Sequence, residues 1–339
     1  SQRACLINAD GSNRRRIADE LITEPHAWTQ FAGWSPDGRF AIIHRGWESP
    51  ENAAWEEANQ TFRMTEGWLV DIYLLDVRTG DWVNLTEVER VSPYNTGLFF
   101  WPHQPRLGFQ ALLDGVSCPF SMDLDGRNKQ NLTDGARQFT YALHAAPGAA
   151  RIASHKNYKM SVAAADGGNA QLVDTGNPFN FVPQWSPDGA SVLFLSGEHY
   201  DCHPYIVQSD GTNLRRLGNR NGYRGVVPCI DIPAFHSDSS DLPVWSADGR
   251  AAYYTAKMGD RVELVRADLN GEVTRITNSP AKAWNYHPSV SPNGRWVALG
   301  SNRSGTRQLD VVPADGSTIR QVTDVPPGFA AMHAHWRPR

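Results

Sequence analysis

The sequence has 339 residues, of which 40% are hydrophobic and 20% are charged, so it can bury a large core and is not a disordered chain. Thirty-two Lys and Arg against 36 Asp and Glu give a net charge of −4 without a long basic run, which argues against nucleic acid or an anionic membrane as a partner. No apolar stretch approaches the roughly 18 residues of a membrane-spanning helix, and Ser1 does not open a signal segment. The 29 Gly and 12 Trp favour many short strands joined by tight turns.

Two turn motifs recur along the chain. The first occurs as Trp34-Ser35-Pro36-Asp37-Gly38, with close copies starting at Trp185 and Trp245 and weaker copies near residues 101, 146, 291 and 336, which makes seven. The second is an Asp-Gly, Asn-Gly or Thr-Gly pair that starts at residues 10, 79, 125, 166, 210, 270 and 315, which also makes seven. Its spacing of 41 to 69 residues is typical of one four-stranded propeller blade per step, with two steps enlarged by insertions.

The order of the motifs predicts an all-β fold, a seven-bladed β-propeller formed by residues 1–339 as a single domain. Each blade has strands A to D, with the Trp-containing turn between A and B and the Asp-Gly turn between C and D. The chain begins with strands C and D around Asp10-Gly11 and ends with a strand A through Trp336, so the closing blade is shared between the N- and C-termini. Strand B of that blade is not visible, so either the blade has three strands or residues before Ser1 are absent.

The repeated Trp-Ser-Pro-Asp-Gly motif resembles the TolB-type WD-like propeller repeat over essentially the whole chain. This resemblance implies the propeller fold, and a periplasmic or secreted location in preference to the cytoplasm. It does not by itself choose a function, because such propellers include both enzymes and platforms that bind a partner.

The blade topology places the B–C and D–A loops together on the face opposite the Asp-Gly turns, and we call this the upper face. Both long insertions, at residues 46–68 and 218–240, map to it. So do nine of the eleven His residues, namely His26, His44, His155, His199, His203, His236, His287, His333 and His335. Enrichment of His and long loops on one side of a rigid scaffold indicates a binding face, although a loop-rich face also collects polar residues without a function. His103, in an A–B turn, and His144, at a Trp position of the repeat, are predicted to be structural.

The candidate metal ligands are His287, His333 and His335. His287 and His333 both lie three residues before the Trp position of their blades, so their side chains should point the same way, at the same height, near the channel mouth. His335 lies one pleat lower and shares the direction of His333. Neutral imidazoles from neighbouring strands bind transition metals, and we expect a divalent ion such as Mn²⁺, Zn²⁺ or Ca²⁺. Hydrogen bonding of these residues around a water-filled channel is the alternative.

The B–C loop of the fourth blade holds the candidate catalytic residues. Residues 196–205 read Ser-Gly-Glu-His-Tyr-Asp-Cys-His-Pro-Tyr, in which His199 or Tyr200 is the candidate base and His203 a candidate substrate-binding residue. Arg220 and Arg224 in the next insertion would bind a carboxylate, or else lie on the solvated surface. A loop that satisfies its own hydrogen bonds is the alternative, and Cys202 and Cys229 of the same region allow a disulfide.

The remaining candidate substrate-binding residues are aromatic, amide and imidazole groups of the upper face, namely His26, Trp47, Asn180, Trp284 and Tyr286. Trp47 precedes a predicted helix over residues 49–59, with Ser49 at the N-cap and Pro50 at its first position. Aromatic faces beside amide donors suit carbohydrate, and they also suit peptide.

A second resemblance covers about two blades. The stretch from Val192 through Glu198-His199 to Asp210-Gly211-Thr212-Asn213, together with Tyr286-His287-Pro288-Ser289, is similar to oligogalacturonate lyases. That resemblance implies a propeller in which a metal-held uronate undergoes β-elimination, with His287 as a metal ligand and His199 as an active-site His. The chain departs from that family in its C-terminal sequence and at Ser240-Asp241-Leu242, where the family has a His.

Three functions are consistent with these patterns. The first is a metal-assisted lyase that acts on oligosaccharides containing uronic acid. The second is a noncatalytic TolB-like propeller that binds a protein, a glycan or another small polar ligand on the upper face. The third is glycoside hydrolysis by paired carboxylates, such as Glu198 with Asp201 or Asp238.

Overall fold

The computed structural model describes residues 2–59, 67–89, 92–93, 98–133, 139–198, 201–228 and 238–338. These residues form six antiparallel sheets of four or five strands, which are the blades of a propeller, and two smaller sheets of two strands each. Within each blade the strands pair in chain order from strand A to strand D. The predicted all-β propeller is therefore confirmed, whereas the count of seven blades is not.

The strands are numbered in chain order. The N-terminal hairpin contains β1 (Cys5–Leu6) and β2 (Arg15–Arg16), and a 3-10 helix follows at Asp19–Leu21. The first blade contains β3 (Trp28–Trp34), β4 (Phe40–Glu48), β5 (Trp68–Asp76) and β6 (Trp82–Asn84), with helix α1 (Pro50–Asn59) between β4 and β5. The second contains β7 (Ser92–Pro93), β8 (Phe99–Phe100), β9 (Arg106–Leu113), β10 (Val116–Asp123) and β11 (Gln130–Asn131). The third contains β12 (Thr140–Ala145), β13 (Arg151–Lys156), β14 (Lys159–Ala164) and β15 (Gln171–Val173).

The second half of the ring follows the same plan. The fourth blade contains β16 (Phe179–Trp185), β17 (Ser191–Glu198), β18 (Asp201–Gln208) and β19 (Arg215–Arg216), and a two-stranded insertion of β20 (Val226–Pro228) and β21 (Asp238–Ser240) follows. The fifth contains β22 (Val244–Trp245), β23 (Ala251–Met258), β24 (Arg261–Asp268) and β25 (Val273–Arg275). The sixth contains β26 (Asn285–Val290), β27 (Trp296–Ser301), β28 (Gln308–Pro313) and β29 (Arg320–Gln321). None of the helices among the described residues is long and apolar enough to cross a membrane.

Hydrogen bonds inside the Trp-Ser-Pro-Asp-Gly turn explain why the motif recurs. The Ser35 hydroxyl donates to the Asp37 carboxylate over 2.6 Å and accepts from the Phe40 amide over 2.8 Å, while Gly38 has a φ of 66°. Ser186, Ser246 and Ser291 make the same two bonds. Each hydroxyl donates to the Asp or Asn side chain two residues later and accepts from the amide five residues later. In these four blades the A–B turn is therefore short and satisfied by its own side chains.

The inner strands share a bulge. The pairing register shifts in β12, β16 and β26, where Ala142, Val182 and His287 have φ values of 59°, 47° and 49°. His333 in the C-terminal segment has a φ of 55°. A bulge adds one residue to a strand and leaves that residue outside the ladder. Positive φ at His287 is therefore a property of the strand and not of this His alone.

The strand pairing corrects the predicted position of His144. Ala145 pairs with Ile152 just as Trp185 pairs with Val192, so Ala145 occupies the Trp position of the third blade. His144 lies one residue earlier, and its Nδ1 accepts a hydrogen bond from the Trp185 amide over 3.3 Å. The prediction that His144 fills the Trp position is therefore wrong by one residue, because Ala145 directly precedes the Ala146-Pro147 of the turn.

The core lies between neighbouring blades. Leu193 and Ile206 of the fourth blade pack with Trp245 and Tyr254 of the fifth. The Trp245 indole also donates to the Gln184 carbonyl over 3.1 Å, so an inner strand is tied to the inner strand of the preceding blade. Trp245 therefore serves both packing and blade-to-blade hydrogen bonding, whereas the indole nitrogens of Trp34 and Trp185 are buried without a hydrogen-bond partner among the described residues.

Segments from both ends of the described chain lie between the sixth and first blades. The Thr29 amide donates to the Gln2 carbonyl over 3.2 Å. On the other side, the Trp336 indole donates to the Ser289 carbonyl over 2.8 Å, and Arg337 Nε donates to the Gly38 carbonyl over 2.7 Å. Residues 331–338 are not assigned to a strand, so the shared closing blade stays a prediction.

We expect Trp336→Ala to lower the melting temperature, because the change removes the indole contact between the C-terminal segment and the sixth blade. Loss of a large, partly buried ring costs about 2 kcal/mol or more. Phe329→Ala is the matched control, since Phe329 is 66% exposed in the same segment. Thermal unfolding of both variants measures the effect, and equal melting temperatures would show that the segment does not hold the ring together.

Candidate functional site

The upper face brings two of the three predicted metal ligands into contact. The imidazole rings of His287 and His333 stack with centroids 4.2 Å apart and planes 23° apart. The ring of His335 lies against Phe31 of the first blade, at a centroid distance of 5.1 Å. The His287–His333 contact joins the sixth blade to the C-terminal segment. It involves the two positions that the sequence register predicts to be neighbours.

A buried carboxylate holds the backbone of His287. Asp241 is 0% exposed, lies between β21 and β22, and accepts a hydrogen bond from the His287 amide over 2.8 Å. Its other oxygen accepts from the hydroxyls of Tyr223 at 3.0 Å and Thr255 at 2.5 Å. Asp241 thus connects the second insertion, the fifth blade and the bulge of the sixth blade.

A buried guanidinium belongs to the same network. Arg220 is 1% exposed, donates through Nη2 to the main-chain carbonyl of Asp241, and lies over the Tyr223 ring at 5.4 Å. A Cβ at Gly225 would lie 1.9 Å from Arg220 Nη1, so this position excludes any side chain. Arg220 is therefore a structural group of the site and is not available on the surface.

Burial sets the protonation of the site. It lowers the pKa of both His287 and His333 to about 4, so both imidazoles are uncharged at neutral pH. Burial also raises the pKa of Asp241. The Arg220 charge and the hydrogen bonds to Asp241 lower that pKa, but burial has the larger effect. Neutral imidazole is the form that binds a metal, so the donors are chemically suited to one.

The ring orientation, however, does not form a metal site. An imidazole binds a metal through a lone pair in its ring plane, and the lone pairs of two stacked rings run side by side instead of meeting. Among the described residues, no three His, Cys, Asp or Glu side chains are grouped so as to hold a metal ion. The structure thus contains suitable donors, but not in a metal-binding arrangement.

The two candidate catalytic residues, His199 and Tyr200, lie outside the described residues. On either side of them, Glu198 pairs with Asp201 across the hairpin of β17 and β18. His203 follows with Nε2 3.8 Å from the Asp201 carboxylate, and its Nδ1 accepts from the Arg220 amide over 3.4 Å. The loop therefore adjoins the Arg220 network.

The predicted disulfide partner of Cys202 also lies outside the described residues, since Cys229 belongs to the segment 229–237. Cys202 itself is buried, and its Sγ lies 3.3 Å from the Glu198 carbonyl. The disulfide stays a prediction.

Four of the candidate substrate-binding residues keep a surface that a ligand can reach. His26 and Arg224 are exposed, Trp284 is 38% exposed, and Trp47 is partly buried, with its indole donating to the Pro25 carbonyl over 3.1 Å. Trp47 precedes helix α1, whose predicted cap is present, because the Asn52 amide donates to Ser49 Oγ over 3.1 Å. Helix α1 of the first insertion therefore begins at the cap that the sequence predicts.

Two other candidates are buried and engaged by the protein. Asn180 is 1% exposed; its oxygen accepts from Thr175 at 2.9 Å and Ser196 at 2.7 Å, and its nitrogen donates to the Tyr158 carbonyl at 2.8 Å. Tyr286 is also 1% exposed, and its ring meets that of His287 edge-on at 5.3 Å. Both residues are placed to position neighbours, which is a different role from the predicted ligand contact.

The opposite face also has a cavity, of about 550 Å³. It is lined by A–B turn residues such as Pro102 and Pro187 and by the indoles of Trp185 and Trp245. Among the described residues its wall contains His103 and His144, but no carboxylate and no Lys or Arg. We place the candidate site on the upper face, where the charged and titratable groups converge.

The residue pattern did not indicate that Asp241 accepts hydrogen bonds from Tyr223 and Thr255 at the centre of the site. In the sequence, Asp241 is conspicuous only as a departure from the lyase pattern. The available signal was an insertion that carries an Asp, an Arg and a Tyr in a face rich in His. Residue spacing could not show that Thr255, on a different blade, completes the network.

We expect Asp241→Ala to destabilise the protein by about 3 kcal/mol or more, because it leaves the His287 amide and two hydroxyls buried without an acceptor. Asp260→Ala is the control, since the Asp260 side chain is 52% exposed beside Arg261. Denaturant unfolding of both variants measures the difference. A stability equal to that of the control would mean that Asp241 does not anchor the bulge.

Two further upper-face histidines are buried inside blades. His44 is 2% and His155 1% exposed, and burial lowers the pKa of each to about 4. Neither ring nitrogen of His155 has a hydrogen-bond partner among the described residues. An imidazole whose folded pKa lies below its usual 6.5 contributes stability above that pH and loses it as the pH falls toward 4.

We therefore expect His155→Phe to gain stability relative to the wild type as the pH falls from 7 to 5. The gain should approach about 1 kcal/mol per pH unit below 6.5, because the variant has no proton to bind there. His103→Asn is the control, since His103 is exposed in a turn of the other face. Unfolding free energies at three pH values test this, and parallel pH profiles for wild type and variant would contradict it.

Comparison with known proteins agrees with the fold. No family model matches the chain. It is 33% identical over 81 residues to an uncharacterized protein of Agrobacterium fabrum and 33% identical over 84 residues to the Tol-Pal system protein TolB of Francisella tularensis, each match covering 24% of this chain. The matches span 27% and 19% of the length of those two relatives.

A solved oligogalacturonate lyase in complex with manganese shares the fold, with a TM-score of 0.66 and 17% identity over 96% of this chain and 86% of that chain. At this identity the likeness shows the propeller fold alone. The chain thus resembles TolB in part of its sequence and oligogalacturonate lyase in its fold, as the repeats predicted.

Proposed function

We propose that the chain is a carbohydrate-active propeller, and specifically a metal-assisted lyase that cleaves oligosaccharides containing uronic acid by β-elimination. The observation that carries the proposal is that two imidazoles, which burial keeps uncharged, those of His287 and His333, meet on the upper face beside the buried Asp241. The fold shared with a manganese-bound oligogalacturonate lyase supports it.

His287, His333 and His335 are the residues that we propose to hold a divalent metal. Their imidazoles suit Mn²⁺ or Zn²⁺ better than Ca²⁺, which prefers oxygen ligands. Because the first two rings are stacked, at least one must turn before both can bind the same ion. When bound, the ion would neutralise the uronate carboxylate and so acidify its C5 proton.

The remaining roles fall to side chains of the upper face. In β-elimination a base takes the C5 proton, the C4–O bond breaks, and the departing oxygen takes a proton. We assign the base to His199 or Tyr200, and substrate contacts to the exposed His26, Arg224 and Trp284 and the partly buried Trp47 and His203. Asn180 and Tyr286 would act by positioning their neighbours, because their own polar or aromatic groups are buried.

Two other functions use the same face. A noncatalytic propeller that binds a protein or a glycan is favoured by the partial sequence match to TolB. Glycoside hydrolysis would use Glu198 with Asp201 or Asp238, and the cross-strand pairing of Glu198 with Asp201 favours that choice of pair. Neither alternative requires a metal.

The proposal includes a seventh blade, a single domain over residues 1–339, and a periplasmic or secreted location. The bond from the Trp336 indole to the Ser289 carbonyl supports the blade, because Trp245 makes the same bond to Gln184 of the blade before it. The resemblance to TolB-type repeats supports the location.

We expect the purified protein to convert oligogalacturonate to a product with a C4–C5 double bond, seen by its ultraviolet absorbance, only when Mn²⁺ or Zn²⁺ is present. His287→Ala and His333→Ala should each lower activity and calorimetric metal affinity at least tenfold. His103→Ala, on the other face, should change neither.

Each outcome separates the candidates. Cleavage without the unsaturated product would favour the hydrolase. Neither cleavage nor metal binding by the wild type would reject the lyase and leave the binding protein.

A further inference from the structure

The cavity of about 550 Å³ on the face opposite the upper face has walls from five consecutive blades. The second to sixth blades contribute the ends of their A strands or the A–B turns that follow, from Pro102 in the second blade to Val290 in the sixth. Cavities that bind small molecules have volumes of about 300 to 1,000 Å³. The cavity is therefore large enough for a ligand, and it lies away from the candidate site of the upper face.

The Trp-Ser-Pro-Asp-Gly repeat departs from its pattern along the wall of this cavity. The position held by Trp185 and Trp245 in the fourth and fifth blades is held by Ala145 in the third and by Val290 in the sixth, and all four residues line the cavity. The A–B turns of the second and third blades, at residues 102–105 and 146–149, contain neither Ser nor Asp. The wall therefore has small side chains at two positions where the repeat has an indole.

The composition of the wall favours an uncharged ligand. The described part of the lining has no carboxylate and no Lys or Arg. The His144 ring stacks on the Phe99 ring at 6.0 Å, and burial lowers the pKa of His144 to about 4, so this imidazole is uncharged at neutral pH. The Arg151 guanidinium packs on the Trp185 ring at 5.3 Å, but it is not part of the lining and donates to the Ser209 carbonyl. A charged ligand would lose its hydration in the cavity without gaining a carboxylate, Lys or Arg partner.

Rings make up most of the lining. They are two indoles, two imidazoles and three prolines, namely Trp185, Trp245, His103, His144, Pro102, Pro147 and Pro187. Proline fixes the backbone of its turn, and paired strands hold the indoles, so a ligand would order little of the protein when it binds. Aromatic side chains pack favourably against the ring of another aromatic group. The wall is therefore suited to a flat aromatic molecule.

We propose that this cavity is a second binding site of the protein, for a small uncharged aromatic molecule. The ligand would contact the wall at Trp245 and at Val290, where the sixth blade lacks the indole of the repeat. The site does not depend on the proposed lyase activity, because its lining shares no residue with the candidate site of the upper face.

The test uses coumarin, an uncharged bicyclic aromatic probe, in a titration followed by calorimetry. Coumarin should bind the wild type at one saturable site, and coumarin-3-carboxylate, which is charged at neutral pH, should bind at least tenfold more weakly. Val290→Trp should weaken coumarin binding at least tenfold, because an indole would fill part of the cavity. Val83→Trp is the matched control, since Val83 is 50% exposed on an outer strand, and it should leave the affinity unchanged.

Two further measurements locate the probe. Trp284→Ala, which removes an exposed indole from the upper face, should not change coumarin affinity. A crystal structure of the wild type with coumarin should place the ring in the cavity, and it decides the matter if Val290→Trp lowers the melting temperature. No saturable binding of coumarin, equal affinity in a folded Val290→Trp variant, equal binding of the carboxylate, or loss of affinity in Trp284→Ala would each overturn the proposal.

Discussion

The bulge in the inner strand is the constraint on which the upper face depends. At the bulge residue the backbone takes positive φ and the amide leaves the ladder. In the third and fourth blades the residue there is Ala142 or Val182, whereas in the sixth it is His287. The bulge recurs in three blades, and in the sixth blade its residue is a His whose imidazole contacts His333.

A bulge in a buried strand also leaves an amide that needs an acceptor. In the sixth blade Asp241 accepts from it, and two hydroxyls together with the nearby Arg220 offset the burial of the carboxylate. This network links the second insertion to two blades. It holds the backbone at the bulge of the sixth blade, where the His287 ring stacks on the His333 ring.

The two faces of the ring differ in how their turns are built. In four blades the A–B turn is short, and its Ser side chain and its Asp or Asn side chain satisfy the amides of the turn, as at Ser35 and Asp37. The upper face instead holds two insertions and the buried Asp241, whose partners come from different segments of the chain. The A–B turns are therefore stabilised locally, whereas this part of the upper face depends on contacts between blades.

The sequence by itself determined the propeller and its strand order, because turn chemistry is local and recurs with each blade. It also predicted the helix capped by Ser49 and the neighbouring register of His287 and His333. It could not predict the stacking of the His287 and His333 rings, or the contacts of Asp241 with Tyr223 and Thr255. Only the tertiary structure decided these, because they join residues from different blades, and their geometry depends on how the blades pack and not on spacing along the chain.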